Sequence, residues 1–131
     1  MSPRPTGVLL VQLGTPDSAN VADVRRYLRE FLGDPRVLDI PALARRALLE
    51  GVILPLRPRR SAAAYRSIWL PEGSPLLVHS RAQAEALAKA LGEGFRVELG
   101  MRYGRPTLAA ALERLLAHRR CSPPSHMETP R

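Results

Sequence analysis

Two hydrophobic periods run along this chain, and the switches between them outline its elements. Residues 7–13, GVLLVQL, form a short aliphatic run that stops at Gly14-Thr15-Pro16. Its length and composition predict a buried strand of a parallel sheet. From Asn20 the period lengthens. Val21, Val24, Leu28, Phe31 and Leu32 recur at helical spacing behind an Asn cap, with Asp23 three residues on and Gly33 and Pro35 as the stop. A second helix is expected from Asp39-Ile40-Pro41, carrying Leu43, Leu48 and Leu49 and weakening at Gly51. Val52 to Leu56 then read as an apolar connector and Arg57-Pro58-Arg59-Arg60 as a basic turn, before a short helical pattern over 61–69. Gly73-Ser74-Pro75 makes a turn, and a helix is predicted from Leu76 to Leu91, stopped by Gly92. Phe95, Val97, Leu99 and Met101 alternate with Arg96, Glu98 and Gly100, which predicts a strand over 95–101. A last helix is expected from Thr107 to Ala117.

Strand, tight loop and helix is the opening of an α/β fold, so the expected class is α/β, rich in helix, with two parallel strands. Two strands are few for the helices around them, and a doubly wound sheet wants a third after residue 117. The chain continues instead as HRRCSPPSHMETPR, rich in Pro and Ser and without periodicity. Residues 118–131 are therefore expected to be a disordered tail, and the change after Ala117 suggests a truncated or frame-shifted reading.

Composition narrows the function. The chain has 131 residues and 45% hydrophobic content, which suits one domain and excludes an intrinsically disordered chain. No apolar run approaches the ~20 residues of a membrane helix. The start, MSPRPTG, carries no export signal, so a reduced, cytoplasmic setting is expected. A lone cysteine, Cys121, excludes a disulfide framework and any cysteine-clustered zinc or iron–sulfur site. The net charge of +8 raises nucleic acid or an anionic membrane as partner. However, 19 of the 20 basic residues are arginines, spread along the chain apart from Arg57, Arg59 and Arg60. With aromatics at 5%, a base-stacking platform is unsupported, and no specific nucleic-acid partner is expected.

Read together, VQLGTPD (11–17), VRRYLREFLGDPRV (24–37), GVILPLR (51–57), AYRSIW (64–69), GSPL (73–76) and GMRYG (100–104) stand in the order and spacing of bacterial ferrochelatases. Residues 6–117 thus resemble the N-terminal portion of that family. The resemblance implies a Rossmann-like, chelatase-type lobe, incomplete here, of a two-lobed protein. It also implies a lyase reaction of haem biosynthesis, the insertion of ferrous iron into protoporphyrin IX, with iron as substrate and no cofactor bound by this chain. Leu13 matches the position facing the porphyrin's metal centre, where a side chain without a donor atom shapes the pocket. Arg57 and Tyr65 match a pair at the pocket mouth, the guanidinium suiting a propionate carboxylate. Ser74 matches a position hydrogen-bonding near the substrate and also reads as a helix cap. Arg102 and Tyr103, placed just beyond the second strand, match a polar–aromatic pair near the cleft. The segment 43–56 matches a hydrophobic lip at a membrane surface, and its apolar residues beside Arg57, Arg59 and Arg60 suit peripheral contact of 43–60 with an anionic bilayer.

The family's proton acceptor is a histidine in a Ser-x-His-Gly motif of the C-terminal part. His79, His118 and His126 lie in no such motif, so no catalytic residue and no metal ligand is assigned here. The expectation is a porphyrin-gripping portion with little activity alone. The competing readings are a non-catalytic porphyrin-binding or interaction fragment, and a basic nucleic-acid binder.

Overall fold

The structure, a computed structural model, describes residues 4–121, with side chains described as far as His118. Strand β1 (Thr6–Thr15) is followed by helices α1 (Val21–Leu32) and α2 (Ala42–Leu48), a π-helical turn (Leu49–Ile53), then α3 (Leu54–Ile68) and α4 (Pro75–Leu91). Strand β2 (Phe95–Gly104) and helix α5 (Leu108–Cys121) complete the order. The two strands pair in parallel, from Thr6 beside Phe95 to Thr15 beside Gly104. The α/β class with two parallel strands is what the hydrophobic pattern predicts.

Both strands run past their predicted ends. Gly14 stays in the ladder at φ +137°, and a Cβ there would meet the Tyr103 carbonyl oxygen at 2.0 Å. Only glycine keeps the strands together at that point. On β2 the alternation continues one step to Tyr103, which is buried. Arg102 and Tyr103 are therefore in the strand rather than beyond it, and Leu13 lies inside β1.

The sheet has two differently covered faces. On one, Gln12 Nε2 donates to Gln83 Oε1 of α4 at 3.2 Å, and the Phe31 ring of α1 meets Tyr103 edge-on at 5.2 Å. On the other, α5 packs against β2 and the start of β1. A Cβ at Gly100 would sit 2.8 Å from the Leu108 side chain, and one at Gly7 would meet Leu115 at 3.5 Å. Glu98 on that face pairs with Arg114 of α5 at 3.1 Å. The core takes Val24, Tyr27, Leu49, Leu54, Ala62, Leu99, Met101 and Ala111. Helix starts are fixed as their sequences demand. Asn20 Oδ1 accepts from Asp23 N at 2.8 Å and Ser74 Oγ from Leu77 N at 3.1 Å.

The largest departure lies between residues 42 and 68. The predicted connector and basic turn do not form; the chain is helical throughout, changing from α to π to α across Gly51. Pro55 is the second residue of α3, directly after the π-turn. Pro58 lies inside the helix and removes the donor that would reach the Leu54 carbonyl. Arg25 of α1 supplies one instead, its Nε donating to Leu54 O at 3.4 Å. Helix α5 also continues to Cys121, four residues past the predicted end; the remainder of the expected tail lies outside the described residues. Among the described residues, no helix is long and apolar enough to cross a membrane.

Candidate functional site

Because α3 begins directly from the π-turn, the apolar segment and the arginines share one helical surface. Val52, Ile53, Leu56, Arg57, Arg60 and Ala64 line an open cleft of about 610 Å³, their spacing of three and four placing them on one side. Leu56 is 69% exposed. Neither Arg57 nor Arg60 has an ion-pair partner among the described residues. The cleft thus joins uncovered aliphatic surface to two free guanidinium forks, chemistry suited to a flat apolar ligand with carboxylates at its rim.

A second hollow, of about 510 Å³, lies where the loop after α1 meets the end of β2. Asp34 is its hub. Its Oδ2 accepts from Tyr103 OH at 2.7 Å and from Arg102 Nη2 at 2.8 Å, while Oδ1 accepts from Arg36 N at 2.8 Å. The Arg102 guanidinium carbon also stands 4.9 Å from the centre of the Tyr103 ring. The bond from Tyr103, then those of Arg36 N and the Arg102 charge, hold the Asp34 carboxyl below its ordinary value. The same bond, with burial, raises the Tyr103 phenol.

Beneath the strand ends, Tyr27 OH donates to Gly14 O at 3.3 Å and Gly104 N donates to Glu30 Oε2 at 3.2 Å. Burial, with the nearby Tyr65 and Glu30, pushes the Tyr27 phenol up to about 12.

The predicted site residues fall into groups. Arg57 lines the α3 cleft. Tyr65, on the same helix, is half-buried, its ring edge-on to Trp69 at 6.1 Å and its phenol raised by burial. Arg102 and Tyr103 line the second hollow, which shares no lining residue with the cleft. Leu13, 55% exposed, is set beside Arg102 by the flanking pairs Gln12–Met101 and Gly14–Tyr103. Ser74 is buried and its hydroxyl is engaged as the α4 cap. His79 is exposed on α4, and His118 lines an apolar recess with Gly7, Leu112 and Leu116. Among the described residues, no group of three or more His, Cys, Asp or Glu side chains could hold a metal ion. Sequence reasoning did not single out Asp34. Its signal was there, an acidic residue in the Gly33-Asp34-Pro35 break that ends a helix, where a carboxylate can reach neighbouring N–H groups.

The ferrochelatase family profile matches residues 5–122. Among similar proteins, the ferrochelatase of Coxiella burnetii (strain RSA 493 / Nine Mile phase I) is 55% identical over 109 residues, covering 83% of this chain and 31% of its own length. That of Cronobacter sakazakii (strain ATCC BAA-894) is 55% identical over 111 residues, 85% of this chain and 34% of its own. That of Alcanivorax borkumensis is 50% identical over 117 residues, 86% of this chain and 34% of its own. The chain therefore spans about a third of the length of the curated relatives it matches. With the profile running across nearly all of its residues, this chain belongs to the ferrochelatase family.

Proposed function

We propose that this chain supplies the porphyrin-gripping wall for insertion of ferrous iron into protoporphyrin IX. The observation that carries this is the α3 cleft, where Arg57 and Arg60, unpaired among the described residues, stand beside Val52, Ile53 and Leu56. The macrocycle is apolar and flat, and its two propionates are carboxylates. Aliphatic surface takes the ring, and a guanidinium takes a propionate through two parallel charge-assisted hydrogen bonds. Leu13, beside Arg102 at the strand ends, offers bulk without a donor atom and leaves one axial side of the iron open. Insertion also requires two pyrrole protons to leave, and no histidine lines either hollow. The chain by itself therefore binds porphyrin without inserting iron at an appreciable rate. The same lip meets a membrane surface. Exposed Leu43, Leu48, Val52 and Leu56 beside Arg57, Arg59 and Arg60 suit an anionic interface, from which a greasy substrate enters.

The test is a Soret-band titration of the 131-residue chain with protoporphyrin IX. A saturable shift is expected, weakened about tenfold by the Arg57→Ala, Arg60→Ala pair, or about 1.4 kcal/mol. No saturable shift, or one indifferent to that pair, overturns the reading. Co-sedimentation with phosphatidylglycerol vesicles, lost on Leu43→Ser and Leu56→Ser, checks the membrane contact.

A further inference from the structure

At the end of β2, one guanidinium is held more firmly than any other in the two hollows. Arg102 is tied to Asp34 at 2.8 Å and lies over the Tyr103 ring, whose hydroxyl is bonded to the same carboxylate oxygen. The Asp34 side chain is only 10% exposed, whereas that of Arg102 is 42% exposed. One Nη of Arg102 is thus committed inward, while Nη1 and Nε make no bond among the described residues. Arg36 and Arg29, the latter paired with Glu50 at 3.4 Å, border the same hollow beside the carboxylates of Asp34 and Glu30.

We propose that Asp34 is a positioning residue: it fixes the plane of Arg102 so that the remaining donors receive a carboxylate of the substrate. A free arginine loses rotamer entropy when it is ordered. Anchoring one arm beforehand removes much of that cost at binding, the usual gain of preorganisation. A purely structural role for Asp34 needs only its bond to Arg36 N, which closes the turn. The two bonds to β2 side chains go beyond that need. This inference rests on the porphyrin reading and adds to it the residue that sets substrate discrimination.

The experiment compares the diacid protoporphyrin IX with its dimethyl ester, which keeps the ring and lacks the charges. Wild type is expected to bind the diacid more tightly, and Asp34→Asn to cut that preference about tenfold while leaving ester binding unchanged. Arg102→Gln should cut it equally, and the double variant should be no worse than either single one. If Asp34→Asn folds poorly by circular dichroism, Asp34→Glu, which keeps the charge but shifts the carboxylate, takes its place: a partial loss of diacid preference with ester binding kept is expected, and an undiminished preference overturns the inference. Equal losses for diacid and ester, or additive losses in the double variant, mean a structural role and overturn the inference. A wild type that prefers the diacid, with Asp34→Asn unaltered, overturns it while the porphyrin reading stands. A wild type without preference removes both.

Discussion

In the α3 cleft, Arg57 and Arg60 extend from a helix among aliphatic side chains with no carboxylate partner among the described residues, whereas Arg102 is fastened between Asp34 and an aromatic ring. Both hollows offer guanidinium to an anion, but they offer it differently. The free arginines keep their reach, can follow a ligand or a lipid headgroup, and lose entropy on doing so. The fastened one gives up reach for direction. On the proposed reading, the free pair receives the substrate at its entry and the fastened arginine orients it.

Substitutions can break this contrast, starting from the buried core of β2. Met101 is 1% exposed on β2, two residues before Tyr103, and Met101→Ala should cost about 2–5 kcal/mol in urea unfolding. Gly14→Ala comes next. Its Cβ would strike the Tyr103 carbonyl at a positive φ, and a loss of about 1–3 kcal/mol is expected, read as a lower Tm. Neither Met101 nor Gly14 lines the α3 cleft, so Arg57-dependent porphyrin binding should persist wherever these variants stay folded. Conversely, Arg57→Ala with Arg60→Ala should weaken porphyrin binding about tenfold yet move stability by no more than about 0.5 kcal/mol.

Tyr27→Phe removes the bond to Gly14 O and should cost about 1 kcal/mol at neutral pH. Its pH signature is distinct. Because the folded phenol titrates at about 12 against an ordinary 10, its contribution is complete below pH 10 and is lost as pH rises toward 12. The variant's stability should therefore fall less than wild type across that window. The smallest effect is at the acid end. Asp34 is held below its ordinary 3.8, so its contribution is present above that pH and fades as pH falls through the lower folded value. Asp34→Asn should flatten that limb of the acid melt, whereas Arg57→Ala should leave it unchanged.

Much of the fold was legible because local and global preferences agree: the Asn20 cap, the Ser74-Pro75 start and the alternation from Phe95 onward each state their element in a few residues. Where reading failed, the deciding partner was distant. Pro58 looks like a breaker until Arg25, far upstream, is seen to satisfy the carbonyl it orphans. Gly14-Thr15-Pro16 reads as a turn until the Tyr103 backbone is known to need the glycine's bare α-carbon. At the site, arginines at helical spacing in 57–60 were visible, but their common face was hidden by the supposed turn. Asp34 was hidden differently, since its partners Arg102 and Tyr103 come from the far end of the chain.

The opposed placement of α4 and α5 carries a consequence for any longer polypeptide of this kind. Parallel crossovers are right-handed in nearly every known sheet. A return path running behind the layer that α4 covers in front must travel the opposite way, so a strand added after α5 would land along the outer edge of β1. That edge would become an interior seam, and the chain would diverge to either side at its carboxyl tip, where Leu13 and Thr15 stand. Ligands of open α/β layers settle at such forks.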